Sequence, residues 1–480
     1  MHAFMKGVLF EILITVSENM TQEFDCVVIG AGPGGYVAAI TAAQSKLRTA
    51  LIEEDQAGGT CLNRGCIPSK ALIAGANVVS HIKHAERFGI HVDGYTIDYP
   101  AMAKRKNTVV QGIRQGLEGL IRSNKITVLK GTGSLISSTE VKVIGQDTTI
   151  IKANHIILAT GSEPRPFPGV PFSSRILSST GILELEVLPK KLAIIGGGVI
   201  GCEFASLFHT LGVEITVIEA LDHILAVNNK EVSQTVTNKF TKQGIRILTK
   251  ASISAIEESQ NQVRITVNDQ VEEFDYVLVA IGRQFNTASI GLDNAGVIRD
   301  DRGVIPVDET MRTNVPNIYA IGDITGKWLL AHVASHQGVI AAKNISGHHE
   351  VMDYSAIPSV IFTHPEIAMV GLSLQEAEQQ NLPAKLSKFP FKAIGKAVAL
   401  GESDGFAAIV SHEITQQILG AYVIGPHASS LIGEMTLAIR NELTLPCIYE
   451  TVHAHPTLSE IWAEGALLAT NHPLHFPPKS

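Results

Sequence analysis

The sequence predicts an α/β fold, with two Rossmann-like dinucleotide-binding domains followed by a C-terminal α+β domain. Three observations predict it. An apolar strand, a glycine-rich turn and an alanine-rich helical pattern follow one another in "FDCVVIGAGPGGYVAAITAAQ". The same succession returns in "KLAIIGGGVIGCEFASLFHTLGVEITVIEA". From about Asp353 the pattern changes to alternating strands and then a helix, with no nucleotide fingerprint.

The first unit opens on the apolar run Cys26 to Ile29. Gly30, Gly32 and Gly35 follow with G-x-G-x-x-G spacing, and "TALIEED" supplies a second strand ending at Glu53. The first glycine makes the tight turn, the second lets backbone approach a pyrophosphate, and the third packs helix on strand. The anion sits at the helix N-terminus, where free N–H groups and the dipole favour it. Glu53 stands where a carboxylate accepts from ribose hydroxyls. In the second unit Leu192 to Ile195 is the strand, Gly196, Gly198 and Gly201 repeat the spacing, and Glu219 ends the next strand. Two fingerprints imply two dinucleotides, and spacing does not say which is which. Glu219 would repel a 2′-phosphate, and "IEALDHILA" holds no arginine to reverse that, so the second ligand reads as NAD rather than NADP.

"NIYAIGD" reads as a strand ending at Gly322–Asp323, an acid placed to bond a ribityl hydroxyl or simply to sit in a turn. "IILATGS" and "VLVAIGR" read as strands crossing between domains close to the cofactors. In the tail, "IPSVIFTHPEIAMVG" and "GFAAIVSHEITQQILGAYVIG" read as strands and "LIGEMTLAIRNELTL" as the helix.

Composition sets the limits. The 480 residues are 45% hydrophobic and 18% charged, ordinary globular values for roughly three or four domains. The net charge of −8, without a basic stripe, argues against nucleic acid. The apolar patch Val8 to Val16 is too short to span a bilayer and Glu11 interrupts it, so no membrane role is expected. The first nineteen residues read as an extension before Met20, or as a short extra strand or tail. Five cysteines fit cytoplasmic usage rather than a secreted disulfide framework.

Two of those cysteines stand in "GGTCLNRGCIPSK", Gly58 to Lys70. Cys61 and Cys66 could be a structural staple, a metal clip or a redox pair. Low cysteine usage weakens the staple. C-x4-C without two matching partners weakens the clip, and no metal is expected there or at His332/His336 and His348/His349. "IPSKALIAGANVV" reads as a helix, with Pro68 suited to its first turn.

"GAGPGG", "GGTCLNRGCIPSK", "GGGVIGCEF", "NIYAIGD" and "HAHPTLSE" stand in one order that resembles the flavin-dependent pyridine nucleotide–disulfide oxidoreductases from Gln22 to Thr470. The resemblance implies FAD on the first fingerprint and NAD on the second. It implies residues 1–21 as an N-terminal extension and 22–160 as the first part of the FAD domain. Residues 161–281 would form the NAD domain, 282–352 the return part of the FAD domain, and 353–480 the dimerisation domain. Cys61–Cys66 would be the redox disulfide, with Cys66 the flavin-side thiolate at a helix N-terminus and Cys61 the interchange thiol. Lys70 would pair with Glu203 near the flavin. His455 would be the acid–base, oriented by Glu460 and completing the partner subunit's site, with His453 the competing candidate. Gly133, Thr160, Gly161, Asp323, Leu330, Ala331 and His332 would join the first cradle and Lys70 at FAD. Val199, Ile200 and Gly282 would join the second at NAD.

Within the family, Glu219 and "HAHPTLSE" favour NAD-linked oxidation of a dihydrolipoyl dithiol over a glutathione- or mercury-reducing role. The implied partners are a second copy of the chain and a lipoyl-bearing acyltransferase or glycine cleavage H-type protein. A non-catalytic FAD/NAD-binding redox sensor is the reading from another class, disfavoured because each catalytic position is filled. Cys26, Cys202 and Cys447 read as buried small hydrophobes. "KHAERF" and "KRKNTVV" read as solvated helix faces.

Overall fold

The computed structural model describes residues 22–226 and 229–477; the expected N-terminal extension lies outside them. The first sheet has seven strands. Gln22–Ile29 lies between Thr49–Glu53 and Thr148–Leu158, parallel to both. Near-complete burial of Val27, Val28 and Leu51 explains why these strands read as continuous apolar runs. Thr148–Leu158 also pairs with Glu140–Ile144 and, further along, with Ile318–Ala320. The "NIYAIGD" strand thus returns to the sheet opened by the first fingerprint.

The second sheet is parallel throughout, in the order Arg246–Leu248, Glu214–Ile218, Lys191–Ile195, Tyr276–Val279 and Ile176–Leu177. The two crossing segments pair with each other: Ser162–Pro164 runs antiparallel to Arg283–Phe285. Three strands that the sequence reading passed over, Ile253–Glu258, Val263–Val267 and Gln270–Phe274, form an antiparallel meander.

The tail forms a five-stranded antiparallel sheet from Ser359–Ile361, Glu366–Gly371, Ile418–Gly425, Phe406–His412 and Ala384–Pro390. Helices Ala428–Arg440 and Glu460–Ala469 cover it. Trp462 is fully buried in this core, and its indole N–H donates to the Leu431 carbonyl at 3.0 Å. Cutting it to alanine would cost about 3–5 kcal/mol and loosen the helix that begins at Glu460. Among the described residues no helix is long and apolar enough to cross a membrane.

Two expectations are corrected. Lys106, on helix Tyr99–Ser123, is buried rather than solvated, and its ammonium donates to the Leu183 carbonyl. Cys447 is exposed, whereas Cys26 and Cys202 are buried as expected.

Candidate active site

Both Gly-rich turns show the same physics. Gly30 takes φ +102°, and a Cβ there would lie 2.4 Å from the Ala159 carbonyl oxygen, so only glycine fits. A Cβ on Gly35 would lie 1.8 Å from the Gly30 oxygen, which sets how tightly helix Pro33–Gln44 meets its strand. Gly196 and Gly201 repeat this with contacts of 2.4 and 2.0 Å. At Gly32 and Gly198, by contrast, a Cβ would meet nothing within 4 Å. The chain leaves open the face where a pyrophosphate approaches each helix N-terminus, so these residues fit the dinucleotides.

The acids at the strand ends are held alike. Glu53 accepts from the Ala31 N–H at 2.7 Å and the Asp55 N–H at 2.8 Å. Glu219 accepts from the Gly197 N–H at 2.6 Å and the Leu221 N–H at 2.8 Å. Each carboxylate oxygen keeps a further lone pair for a ribose hydroxyl. Burial pushes the Glu53 carboxyl above its ordinary value, although the Ala31 N–H opposes this.

A cavity of about 1540 Å³ joins the first cradle to the cysteines. Cys61 lies in the short helix Gly59–Arg64, and Cys66 is the first residue of helix Cys66–Lys83 after the break at Gly65. The Asn63 amide donates to the Ala57 and Gly59 carbonyls at 3.0 Å and fixes the turn between them. The structure describes the pair as two thiols sharing a hydrogen bond. That bond lowers the Cys66 thiol to about 7; burial opposes the fall and the Lys70 charge assists it. The same bond pushes the Cys61 thiol upward, with burial adding to it. The two sulfurs are thus pushed in opposite directions, Cys66 down and Cys61 up. Four residues on, Lys70 shares the helix face of Cys66 and reaches Glu203 of helix Val199–Thr210 at 2.9 Å.

The cavity is lined by Gly30, Gly32, Glu53, Gly133, Thr160, Gly161 and Asp323, by Leu330, Ala331 and His332, and by Val199, Ile200 and Glu203. Gly35 packs behind it, and Gly196, Gly198, Gly201 and Glu219 of the second turn, like Gly282, lie outside its walls. Helix Ala331–Ile345 begins at the cavity, where the sequence reading places "WLLAH". The reading missed Arg283, whose guanidinium lies 2.6 Å from the Ser162 hydroxyl and 3.7 Å from Asp323. Its position directly after Gly282 in "VLVAIGR" was the available signal. It also missed Phe362, which no motif marked.

His455 and Glu460 do not line this cavity. The imidazole Nδ1 lies 2.8 Å from Glu460, and the second carboxylate oxygen accepts from the Thr457 N–H at 2.9 Å. Burial pushes the Glu460 carboxyl up, but the His455 and Thr457 hydrogen bonds outweigh it and hold it below the ordinary range. His455 itself stays 77% exposed, so its Nε2 side is free to meet a group from outside its own subunit. His453 is engaged on both nitrogens, with Thr451 O and Glu434 each at 2.9 Å, which leaves it no free basic nitrogen.

Two family models match this chain. Residues 24–338 match the pyridine nucleotide-disulphide oxidoreductase model, and residues 357–466 match the dimerisation domain of the same family. The chain belongs to the pyridine nucleotide-disulphide oxidoreductases. A dihydrolipoyl dehydrogenase of Chlamydia pneumoniae is 99% identical over 461 residues, 96% of this chain and 100% of that one. One from Geobacillus stearothermophilus is 41% identical, covering 95% of this chain and 98% of its own. Among solved structures, LpdA of Mycobacterium tuberculosis superposes with a TM-score of 0.87 at 29% identity, covering 93% of this chain and 99% of its own. RclA of Escherichia coli, a HOCl-induced flavoprotein disulfide reductase, gives 0.84 at 27% identity, covering 92% and 99%. The two-fingerprint oxidoreductase architecture and its FAD and NAD therefore apply to this chain.

Proposed function

We infer that this oxidoreductase oxidises a protein-bound dihydrolipoyl dithiol and passes the electron pair to NAD⁺. The observation that carries it is the thiol pair Cys61/Cys66 with the Lys70–Glu203 ion pair, in one cavity continuous with the first nucleotide cradle. The dihydrolipoyl dehydrogenases that match nearly the whole chain support the choice of substrate. So does Glu219, whose charge disfavours a 2′-phosphate.

In the proposed cycle the partner subunit's histidine, at the position of His455, takes a proton from one dihydrolipoyl thiol. Its Glu460 holds the tautomer and stabilises the imidazolium. The substrate thiolate attacks Cys61 of the oxidised pair, and the Cys61–Cys66 bond breaks with Cys66 leaving as thiolate. The base releases that proton to solvent, then takes the proton of the second substrate thiol and passes it to Cys61 as the second thiolate displaces Cys61 and closes the lipoyl disulfide, leaving Cys61 as thiol and Cys66 as thiolate. Bound FAD would supply the two-electron relay between the reduced cysteines, whose disulfide is thereby restored, and NAD⁺, which would leave as NADH. Glu53 and the Gly30–Gly35 turn would hold FAD, and Glu219 and the Gly196–Gly201 turn would hold NAD. Dithiol plus NAD⁺ gives disulfide, NADH and one proton. Lys70, neutralised by Glu203, keeps a positive charge beside the Cys66 sulfur.

The enzyme acts as a homodimer through residues 353–480, a reading supported by an exposed His455 that does not line its own chain's cavity. It serves a lipoyl-bearing acyltransferase or glycine cleavage H-type protein in the cytoplasm, where low cysteine usage fits reducing conditions. The test compares dihydrolipoamide with NAD⁺ against NADPH with glutathione disulfide on the purified holoenzyme. Faster turnover with the first pair is expected; faster turnover with the second would overturn the assignment.

A further inference from the structure

Phe362 follows strand Ser359–Ile361 of the C-terminal sheet, yet it touches both members of the flavin-side ion pair. Its ring lies 4.2 Å from the Lys70 ammonium, measured to the ring centroid. Its backbone N–H donates to Glu203 Oε1 at 3.0 Å, while Glu203 Oε2 takes Lys70 at 2.9 Å. Two residues on, the His364 N–H donates to the Ser206 hydroxyl at 3.0 Å, on the same helix as Glu203. Ile361 and Ile367 share a core with Phe204 and Phe208 of that helix. The segment is thus fastened at two adjacent turns, which leaves Phe362 little freedom.

We propose that Phe362 is a positioning residue for Lys70, clamping its ammonium against Glu203 so that the positive charge stays beside the Cys66 sulfur. This rests on the reading of Cys66 as the flavin-side thiolate. Lys70 keeps 30% of its side chain exposed, so an unclamped ammonium has a path into water, where its field is screened. A cation over an aromatic face is held electrostatically by the ring, more strongly when water is excluded. The ring therefore supplies what the single contact with Glu203 does not, a fixed direction. The charged or titratable groups acting on Cys66 are Cys61, Lys70, Glu203 and Arg283. Of these, Phe362 touches Lys70 and Glu203, so its loss is felt through them.

The test uses the flavin-loaded dimer, reduced by two electrons, and follows the long-wavelength thiolate–flavin absorbance against pH. Phe362→Leu is expected to raise the pH at which the band fades by about half a unit. Phe362→Tyr, which keeps the ring face, is expected to match the parent. Mono-, di- and trifluorophenylalanine at position 362 keep the shape and drain the ring face, so the shift is expected to grow along the series. That series decides the matter if Phe362→Leu fails to fold. A midpoint that stays put or moves down in Phe362→Leu, or fails to climb along the fluorinated series, overturns the proposal alone. A parent enzyme without the band overturns the reading of Cys66 beneath it, and the proposal with it.

Discussion

Glu219→Ala removes the feature that selects the second nucleotide. In the structure each oxygen of this carboxylate accepts one backbone N–H, from Gly197 at 2.6 Å and Leu221 at 2.8 Å. That leaves one lone pair per oxygen, matching the two hydroxyls of an adenosine ribose. A hydrogen bond to a charged acceptor contributes about 1.5–3 kcal/mol, so losing it predicts a roughly 10- to 100-fold rise in KM for NAD⁺. The carboxylate does not line the cavity that holds the cysteines, so kcat at saturating NAD⁺ should change less than about twofold. Removing the charge also removes the repulsion of a 2′-phosphate, so the NADP⁺ to NAD⁺ ratio of kcat/KM should rise. Steady-state kinetics with both nucleotides reads all three quantities, and a melting curve on the loaded enzyme controls for the two N–H groups left without an acceptor. An unchanged KM for NAD⁺, or a loss confined to kcat, would refute the reasoning.

Further outcomes follow from the same geometry. Lys70→Met removes a positive charge near Cys66 and leaves the mostly buried Glu203 carboxylate unneutralised. The pH midpoint of the thiolate absorbance should therefore rise by about one unit; an unmoved midpoint would show that Lys70 does not act on that sulfur. Cys61→Ser and His455→Gln should each be inactive as pure dimers. After subunit exchange, mixed dimers carry one intact composite site, so about a quarter of parental activity should return. None would return if His455 served its own chain's cysteines. His475 pairs with Glu464 at 2.7 Å and its protonation is favoured above the ordinary histidine value by that hydrogen bond. A raised folded pKa means this anchoring is complete below the unfolded pKa and fades as pH rises through the folded one. Carboxypeptidase trimming of the tail should accordingly be faster at alkaline than at mildly acidic pH, and His475→Ala should abolish the difference.

What the sequence made legible was local and periodic. Strand, glycine turn, helix and terminal acid all fall within about thirty residues, so Gly30 to Glu53 and Gly196 to Glu219 could be read directly. The C-terminal strands announced themselves by alternation. The meander over residues 253–274 did not, because Glu257, Glu258, Glu272 and Glu273 break its apolar pattern. Lys106 read as solvated because its charged neighbours Lys104 and Arg105 are; only the fold brings the Leu183 carbonyl to it. Cys447 read as buried on residue type alone, whereas the short helix Leu445–Tyr449 turns Leu445 and Ile448 inward against helix Glu460–Ala469 and leaves Cys447 exposed. The partners of Lys70 divide in the same way. Glu203 was found because it follows a fingerprint, whereas Phe362 lies 292 positions from Lys70 in the chain. It follows a strand of the C-terminal sheet and carries a side chain that reads as ordinary core.

The division of labour between the two cysteines is tested most directly by comparing Cys61→Ser with Cys66→Ser in the flavin-loaded dimer. With Cys66 as the flavin-side thiolate, Cys61→Ser should show the long-wavelength band without added reductant, and the band should fade on acidification. Cys66→Ser should lack the band at every pH while its Cys61 thiol remains open to alkylation. A band in Cys66→Ser that is missing from Cys61→Ser would contradict the assignment.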